Sequence, residues 1–356
     1  MSAAVLALLG RVWPVLLFLA LIAVVAELLD VAGGFRVAAA AISRWGGGRT
    51  AVLFAWYCAL CAVVTILLSI DTTAVLLTPV GIALARRLRL EPLPFAFAAL
   101  WLANTASLLL PISNLTNLLA VHGPRISGRQ LTQLAALPQL VLIVVTGLVL
   151  AVLFRGHLTG GYAHPEEGER EDPWLLAVCV LAVGCIGVAI VAGLTAWMAA
   201  LAALLVLLGA LGVRDRARLV AARLHTAVPV RAIGLALGLF LVVGLAAAYL
   251  TGAGGPLHGT VLSTGALVVI GAAGANLVNN LPAYLFLEPL AGDAHGVLGL
   301  LVGVNAGALL TPWGSLATVL WLQICRRRLV AVSTRRVLVY GLVLVPAVLL
   351  AVLAVL

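Results

Sequence analysis

Apolar runs of membrane length, most of them closed by arginine, recur along this 356-residue chain, and in two corresponding places they are broken by Asp, Asn, Ser, Thr and Pro. A run of about 20 apolar residues is enough to cross a bilayer as a helix. The first pair of breaks is S-I-D-T-T-A-V-L-L-T-P (Ser69–Pro79) followed by A-N-T-A-S-L-L-L-P-I-S-N-L-T-N (Ala103–Asn117). The second pair is A-N-L-V-N-N-L-P (Ala275–Pro282) followed by V-N-A-G-A-L-L-T-P-W-G-S-L-A-T (Val304–Thr318). Polar, helix-breaking residues at membrane depth are tolerated only where they line a cavity or are buried in protein. Matching interruptions in two halves of a chain point to the binding site of a transporter.

Composition narrows the class. The chain is 64% hydrophobic and only 9% charged, with a mean hydropathy of +1.23. A soluble domain is about 25% charged, so the expected fold is an all-α polytopic membrane protein with no separate soluble domain. The net charge of +9 would suit nucleic acid. The arginines, however, sit at the ends of apolar runs, where they set topology, so the partner is the bilayer and not nucleic acid. Lysine is absent; a P-loop needs G-x-x-x-x-G-K-[ST], so this chain carries no such ATP site. The cysteines lie in or beside apolar runs, which excludes an extramembrane disulfide framework. The six histidines fall in loops or near helix ends, and neither H-E-x-x-H nor G-x-S-x-G occurs. No metal, cofactor or catalytic residue is expected, and the chain reads as a transporter and not an enzyme. The apolar N-terminal run lacks an A-x-A-like cleavage site and reads as a retained helix.

In chain order, spans are expected over Trp13–Ala32, Leu134–Leu153, Trp174–Gly193, Thr195–Val213, Arg231–Leu250 and Val337–Leu356, with an amphipathic interfacial helix over Phe35–Trp45. Ala51–Ile70 should break at Asp71 and return to Ala85. Leu93–Leu110 should run into Pro111, which cannot continue a helix, leaving Ser113–Asn117 unwound. Gly259–Gly271 and Leu277–Leu290 should be two arms with Asn280 at the tip. Gly296–Leu310 should run into Pro312, with Gly314–Thr318 unwound. The organisation is thus a first repeat over 1–153 (hairpin about 50–86, broken helix about 93–121), an acidic cytoplasmic loop over 154–173, and a second repeat over 174–356. The second repeat holds a leading helix pair over 174–213, a hairpin over about 259–290 and a broken helix over about 296–325.

Arginines give the orientation. Arg44, Arg49, Arg86, Arg87 and Arg89 flank the first hairpin, so both its ends should be cytoplasmic; the second hairpin lies in a stretch without arginine, so both its ends should be outside. This gives about eight crossings and two opposed re-entrant hairpins, the pattern of an inverted-repeat secondary transporter with two unwound transmembrane helices. Arg125, Arg129 and Arg11 run against it. A fixed spacing supports the repeat: 201 residues separate Asn104 from Asn305, Pro111 from Pro312, Asn114 from Ser315 and Asn117 from Thr318. The hairpins align less cleanly. Pro289 lies 210 residues after Pro79, and Pro282 is the other candidate partner.

S-R-W-G-G-G-R, D-T-T-A-V-L-L-T-P, A-N-T-A-S-L-L-L-P-I-S-N-L-T-N, N-N-L-P and L-T-P-W-G-S-L-A-T-V-L-W together resemble the arsenite/antimonite efflux permeases. That family belongs to an ion-transporter superfamily that also holds dicarboxylate transporters and sodium/proton antiporters. The match runs in order over nearly the whole chain, and G-S-L-A-T-V-L-W is its most specific part. The resemblance implies a secondary active exporter of arsenite or antimonite in exchange for protons, in the plasma or inner membrane. It also leaves room for a soluble ATPase subunit and for a homodimer. Two departures stand out: Asn104 and Asn305 occupy positions where the permeases usually carry Asp. The alternative is a carboxylate or other anion transporter of the same superfamily, coupled to sodium or protons. A passive anion channel fits less well, because a channel needs only one gate.

The candidate substrate and ion residues follow from the breaks. A carboxylate at membrane depth is costly and marks a functional site, so Asp71 is the first candidate to carry a coupling proton. Asp71, Thr72 and Thr73 could equally cap the return arm. Ser69, Ser113, Asn114, Thr116 and Asn117, with Thr311, Gly314, Ser315 and Thr318, supply side-chain and freed backbone groups at the breaks. Asn276, Asn279 and Asn280 do so at the second hairpin. Asn104 and Asn305 occupy equivalent repeat positions, with polar glue between helices as their plain alternative. Arsenite is mostly a neutral trihydroxide at neutral pH, which an Asn/Ser/Thr site suits, and the same site would also suit a carboxylate held by helix N-termini. Cys58-x-x-Cys61 places two thiols on one helix face, but tight capture would slow release, and packing is the better reading.

Overall fold

The computed structural model describes residues 2–163, 172–192, 194–221 and 255–356, with scattered positions between 224 and 250. The span expected over 231–250 falls largely outside these, as do Glu166, Glu167, Glu169 and Glu171. Among the described residues all regular elements are helical, and extended pairing is limited to two isolated bridges, Arg49 with Gly161 and Leu262 with Ala291. Among the described residues, four helices are long and apolar enough to cross a membrane: Thr50–Leu67, Gly128–Leu153, Ala196–Arg214 and Thr334–Leu353.

Helix α1 (Ser2–Val31) runs longer than expected at its N-terminal end. It turns at Gly33, whose φ is 86°, into α2 (Gly34–Trp45), and the two axes meet at 59°. α2 buries Phe35 and Ile42 and leaves Trp45 exposed, as an interfacial helix does.

α3 (Thr50–Leu67) ends at Leu68–Ser69. The chain then reverses through α4 (Ile70–Thr72), a π-helical turn (Thr73–Leu77) and α5 (Thr78–Arg87). The break thus lies two residues before its expected place, and Asp71 is already helical. Nested contacts make this an antiparallel hairpin. Tyr57 Oη donates to Leu77 O at 2.8 Å, and Gly81 lies so close to the Tyr57 ring that a Cβ there would sit 2.2 Å from Oη.

Next comes α6 (Pro92–Thr105), then irregular chain, a 3₁₀ turn (Pro111–Ser113) and α7 (Leu115–Val121). The helix ends at Thr105, before Pro111 and not at it, and Thr116 and Asn117 are helical where unwound chain was expected. α8 (Gly128–Leu153) opens on a capping box between Ser127 and Gln130. The short α9 (Arg155–Leu158) follows, then α10 (Pro173–Val191), α11 (Ala196–Arg214) and α12 (Arg216–Ala221). α11 packs on α1 and on α10.

The second half repeats the plan. α13 (Thr264–Val278) reverses at Asn279 into α14 (Asn280–Leu287) and a 3₁₀ turn (Glu288–Leu290). The first arm therefore reaches Val278, not Gly271, and the tip is Asn279, not Asn280. Asn279 holds φ 86° and ψ 154°, a positive-φ conformation that residues other than glycine seldom adopt. α15 (Ala294–Ala306), a 3₁₀ turn (Gly307–Leu309) and irregular chain lead to α16 (Leu316–Arg327), and α17 (Thr334–Leu353) closes the chain. Thr318 again lies inside a helix and not in the unwound segment.

Burial sorts these helices. Every residue of α6 from Leu93 and of α15 from Gly296 is buried, as expected of helices apolar all round. α8 and α17 instead expose Leu140, Leu148, Leu342 and Leu350, the surface a bilayer covers. An aromatic cluster ties the halves. Phe97 of α6 meets Trp321 of α16 at 5.1 Å and Tyr340 of α17 at 5.2 Å, and Trp321 Nε1 donates to Ala96 O at 2.8 Å. The packing also crosses over between halves. α4, the π turn and α5 pack on α16, while α14 packs on α7. Each hairpin's return arm thus meets the second segment of the other half's broken helix.

Candidate functional site

All four breaks use one device: a residue in extended or left-handed conformation whose side chain caps the helix that follows. Ser69 Oγ accepts from Thr72 N at 3.2 Å, Asn114 Oδ1 from Thr116 N at 3.3 Å, Asn279 Oδ1 from Leu281 N at 3.4 Å and Ser315 Oγ from Thr318 N at 3.2 Å. Helix N-termini leave N–H groups without intrahelical partners, and inside a membrane each must be met by protein. Ser69 and Asn279 lie 210 residues apart and do the same work. This selects the 210-residue alignment, with Pro79 opposite Pro289, over the one through Pro282. The cap of the first hairpin is Ser69; Asp71 sits in the first turn behind it.

Ser69-Ile70-Asp71-Thr72 and Ser315-Leu316-Ala317-Thr318 are built alike. Each serine Oγ also lies 2.9 Å from the threonine Oγ1 three residues on. These two first turns face each other, for Ile70, Ala74, Ala103 and Ala317 form one small buried apolar cluster. Asp71 is half-buried beside it. Among the described residues its carboxylate has no hydrogen-bond or ion-pair partner. Thr73 is occupied structurally, its Oγ1 lying 2.8 Å from Thr65 Oγ1.

The first broken helix is held open by buried amides. Gln139 Oε1 of α8 accepts from Leu108 N at 2.7 Å and from Leu109 N at 3.1 Å. Its Nε2 donates to Thr105 O at 2.8 Å. Asn117 Nδ2 donates to Ser107 O at 2.7 Å and Leu110 O at 3.0 Å. Ser113 Oγ reaches Ile66 O at 2.9 Å, tying this segment to the first hairpin. Sequence reasoning missed Gln139; the signal was a lone amide beside Pro138 within an otherwise apolar span.

The second hairpin is stitched to the second unwound segment. Asn276 Nδ2 donates to Gly307 O at 2.6 Å, and its Oδ1 accepts from Thr311 N at 2.9 Å. Asn279 Nδ2 donates to Trp313 O at 3.0 Å, and Asn280 N to Gly314 O at 2.9 Å. Gly314 is required by space, since a Cβ there would lie 2.1 Å from Ala308 O. In α14, Tyr284 Oη donates to the buried Glu288 at 3.1 Å.

Asn104 and Asn305 differ although their positions are equivalent. Asn305 Oδ1 accepts from Thr116 Oγ1 at 3.0 Å, and its Nδ2 lies 3.5 Å from Asn117 Oδ1. Asn104 Nδ2 donates to Leu100 O at 3.0 Å, while its buried Oδ1 has no partner among the described residues. Cys61 is fully buried and Cys58 half-buried, and both pack within α3. An apolar cleft lined by Val178, Leu181 and Cys185 lies between α10 and α11, away from these breaks. Among the described residues no group of His, Cys, Asp and Glu could hold a metal ion.

Two capped hairpins meeting two broken helices within an apolar helical body define a multi-pass membrane transporter. The chain belongs to the citrate transporter family, whose profile matches residues 1–299. It is similar to the arsenical pump membrane protein of Escherichia coli K12, with 29% identity over 347 residues, covering 89% of this chain and 79% of that protein. The arsenical pump membrane protein of Yersinia enterocolitica is likewise 29% identical over 345 residues, with the same coverage. These similarities to bacterial proteins and its apolar helices make it a multi-pass inner-membrane protein of the ion-transporter superfamily. Among solved structures it is similar to the YdaH transporter of Alcanivorax borkumensis, described as having an unusual topology. The TM-score is 0.59 at 15% identity, over 98% of this chain and 86% of that one, which speaks to fold alone.

Proposed function

We propose that this chain exports arsenite or antimonite in exchange for protons, with Asp71 carrying the coupling proton. The observation behind this reading is the Asp71 carboxylate. It is unpartnered among the described residues and sits in the first turn of a capped hairpin, next to the N-terminal turn of α16 from the other half. An acid with no structural partner at membrane depth is costly, and function is what retains it. The similarity to arsenical pump membrane proteins supports the substrate.

In this reading residues 1–153 and 174–356 are inverted repeats joined by an acidic loop. The two hairpins re-enter from opposite sides and meet the broken helices at the midplane. Ser69, Asp71, Thr72, Asn104, Asn114, Thr116, Asn117, Asn305, Ser315 and Thr318 surround the substrate path. Asn276, Asn279, Asn280, Thr311 and Gly314 form the second hairpin's clasp. The hairpin-bearing module moves against the remaining helices.

The test is labelled arsenite uptake by everted vesicles, with and without a protonophore, for the wild type and Asp71→Asn. Uptake that the protonophore and Asp71→Asn both abolish supports proton exchange. Absence of arsenite uptake by folded protein sinks the reading. One observation favours a second reading, the transport of a carboxylate: the matching family profile is that of citrate transporters. Citrate uptake driven by sodium or protons, measured in the same vesicles, tests it.

A further inference from the structure

The pseudo-symmetric asparagines carry the inference. Asn305 is engaged from the other half: its Oδ1 accepts from Thr116 and its Nδ2 faces Asn117. The 201-residue spacing carries Thr116 onto Ala317 and Asn117 onto Thr318. Ala317 has no hydroxyl, and the Thr318 hydroxyl is held by Ser315 Oγ at 2.9 Å. Ala103, the residue before Asn104, does pack with Ala317, so the equivalent interface exists but the equivalent bond does not. The outcome is Asn104 Oδ1, on a side chain 1% exposed, with no partner among the described residues. The assignment of oxygen and nitrogen is fixed by Leu100 O, 3.0 Å from Nδ2; the opposite choice would set two acceptors against each other.

A buried acceptor without a donor is disfavoured. This one lies where the hairpin bearing Asp71 meets α16, whose own basic residues are at its C-terminal end, as are those of α5. The described arginines of these two helices therefore lie away from it. An ionised carboxylate group brings only acceptors and cannot itself donate to Asn104 Oδ1. A neutral trihydroxide brings three O–H donors.

We propose that Asn104 Oδ1 accepts a hydrogen bond from a hydroxyl of the transported ligand, and that Ala317 keeps it disengaged from the protein. This rests on the arsenite reading and deepens it by naming one ligand-binding atom.

The experiment measures KM and maximal rate of arsenite uptake, citrate uptake and thermal unfolding in detergent. It compares wild type, Ala317→Thr, the smaller Ala317→Ser and Asn104→Leu. A hydroxyl at 317 should engage Asn104 Oδ1 as Thr116 engages Asn305. The expected result is an arsenite KM raised roughly tenfold, with the maximal rate and unfolding temperature maintained. Asn104→Leu, which removes the acceptor, should raise KM likewise. If both folded Ala317 variants or Asn104→Leu keep the wild-type KM, the inference is overturned. A higher unfolding temperature in Ala317→Ser with unchanged KM would mean that water alone serves this oxygen, which also overturns it. Wild-type uptake of citrate but not arsenite would overturn the arsenite reading and this inference together, and is distinct from the variant results.

Discussion

Thr116 Oγ1 donates to Asn305 Oδ1 at 3.0 Å across 189 positions of sequence. Both side chains are buried, and the bond joins α7 of the first half to α15 of the second. Thr116→Val keeps the shape of the side chain but orphans Asn305 Oδ1. Stability should fall by about 1–3 kcal/mol, seen as a lower unfolding temperature in detergent. Adding Asn305→Leu removes that orphaned acceptor but also the Nδ2 that faces Asn117 Oδ1, so it should recover only part of the loss.

Gln139 makes one bond to the last residue of α6 and two to the irregular chain after it. Gln139→Leu would leave Leu108 N, Leu109 N and Thr105 O unmet in an apolar interior. The expected cost is about 3 kcal/mol or more, enough to deplete folded protein in the membrane fraction. Gln139→Glu retains the acceptor and should express better than Gln139→Leu.

Ser69 and Ser315 cap the two turns that face each other. Ser69→Ala and Ser315→Ala should each cost about 1 kcal/mol, measurable by thermal unfolding. Because the turns share one apolar cluster, the double variant should depart from additivity.

Gly314 leaves no room for a side chain, with Ala308 O 2.1 Å and Asn276 Oδ1 3.0 Å from the place a Cβ would take. Gly314→Ala should push the unwound segment off the second hairpin and abolish uptake. Gly10, whose surroundings are open, provides the control: Gly10→Ala should transport as the wild type does.

Length, apolar composition and arginine placement determined from sequence alone that this is a helical membrane protein. So did the positions of the four breaks to within a few residues, because a polar residue in hydrocarbon is a local and expensive exception. The 201-residue spacing also exposed the repeat, with Asn104 set against Asn305. Tertiary structure decided what those residues do. Pro111 suggested where the first broken helix stops, but the helix ends at Thr105, since Gln139 offers the freed groups better partners than another helical turn would. Ser69, not Asp71, caps the first hairpin, leaving the carboxylate without a partner among the described residues. Whether a buried amide is satisfied depends on its neighbour across the interface. Thr116 meets Asn305 and Ala317 fails to meet Asn104, and such pairings between distant residues are set by packing that no local pattern encodes.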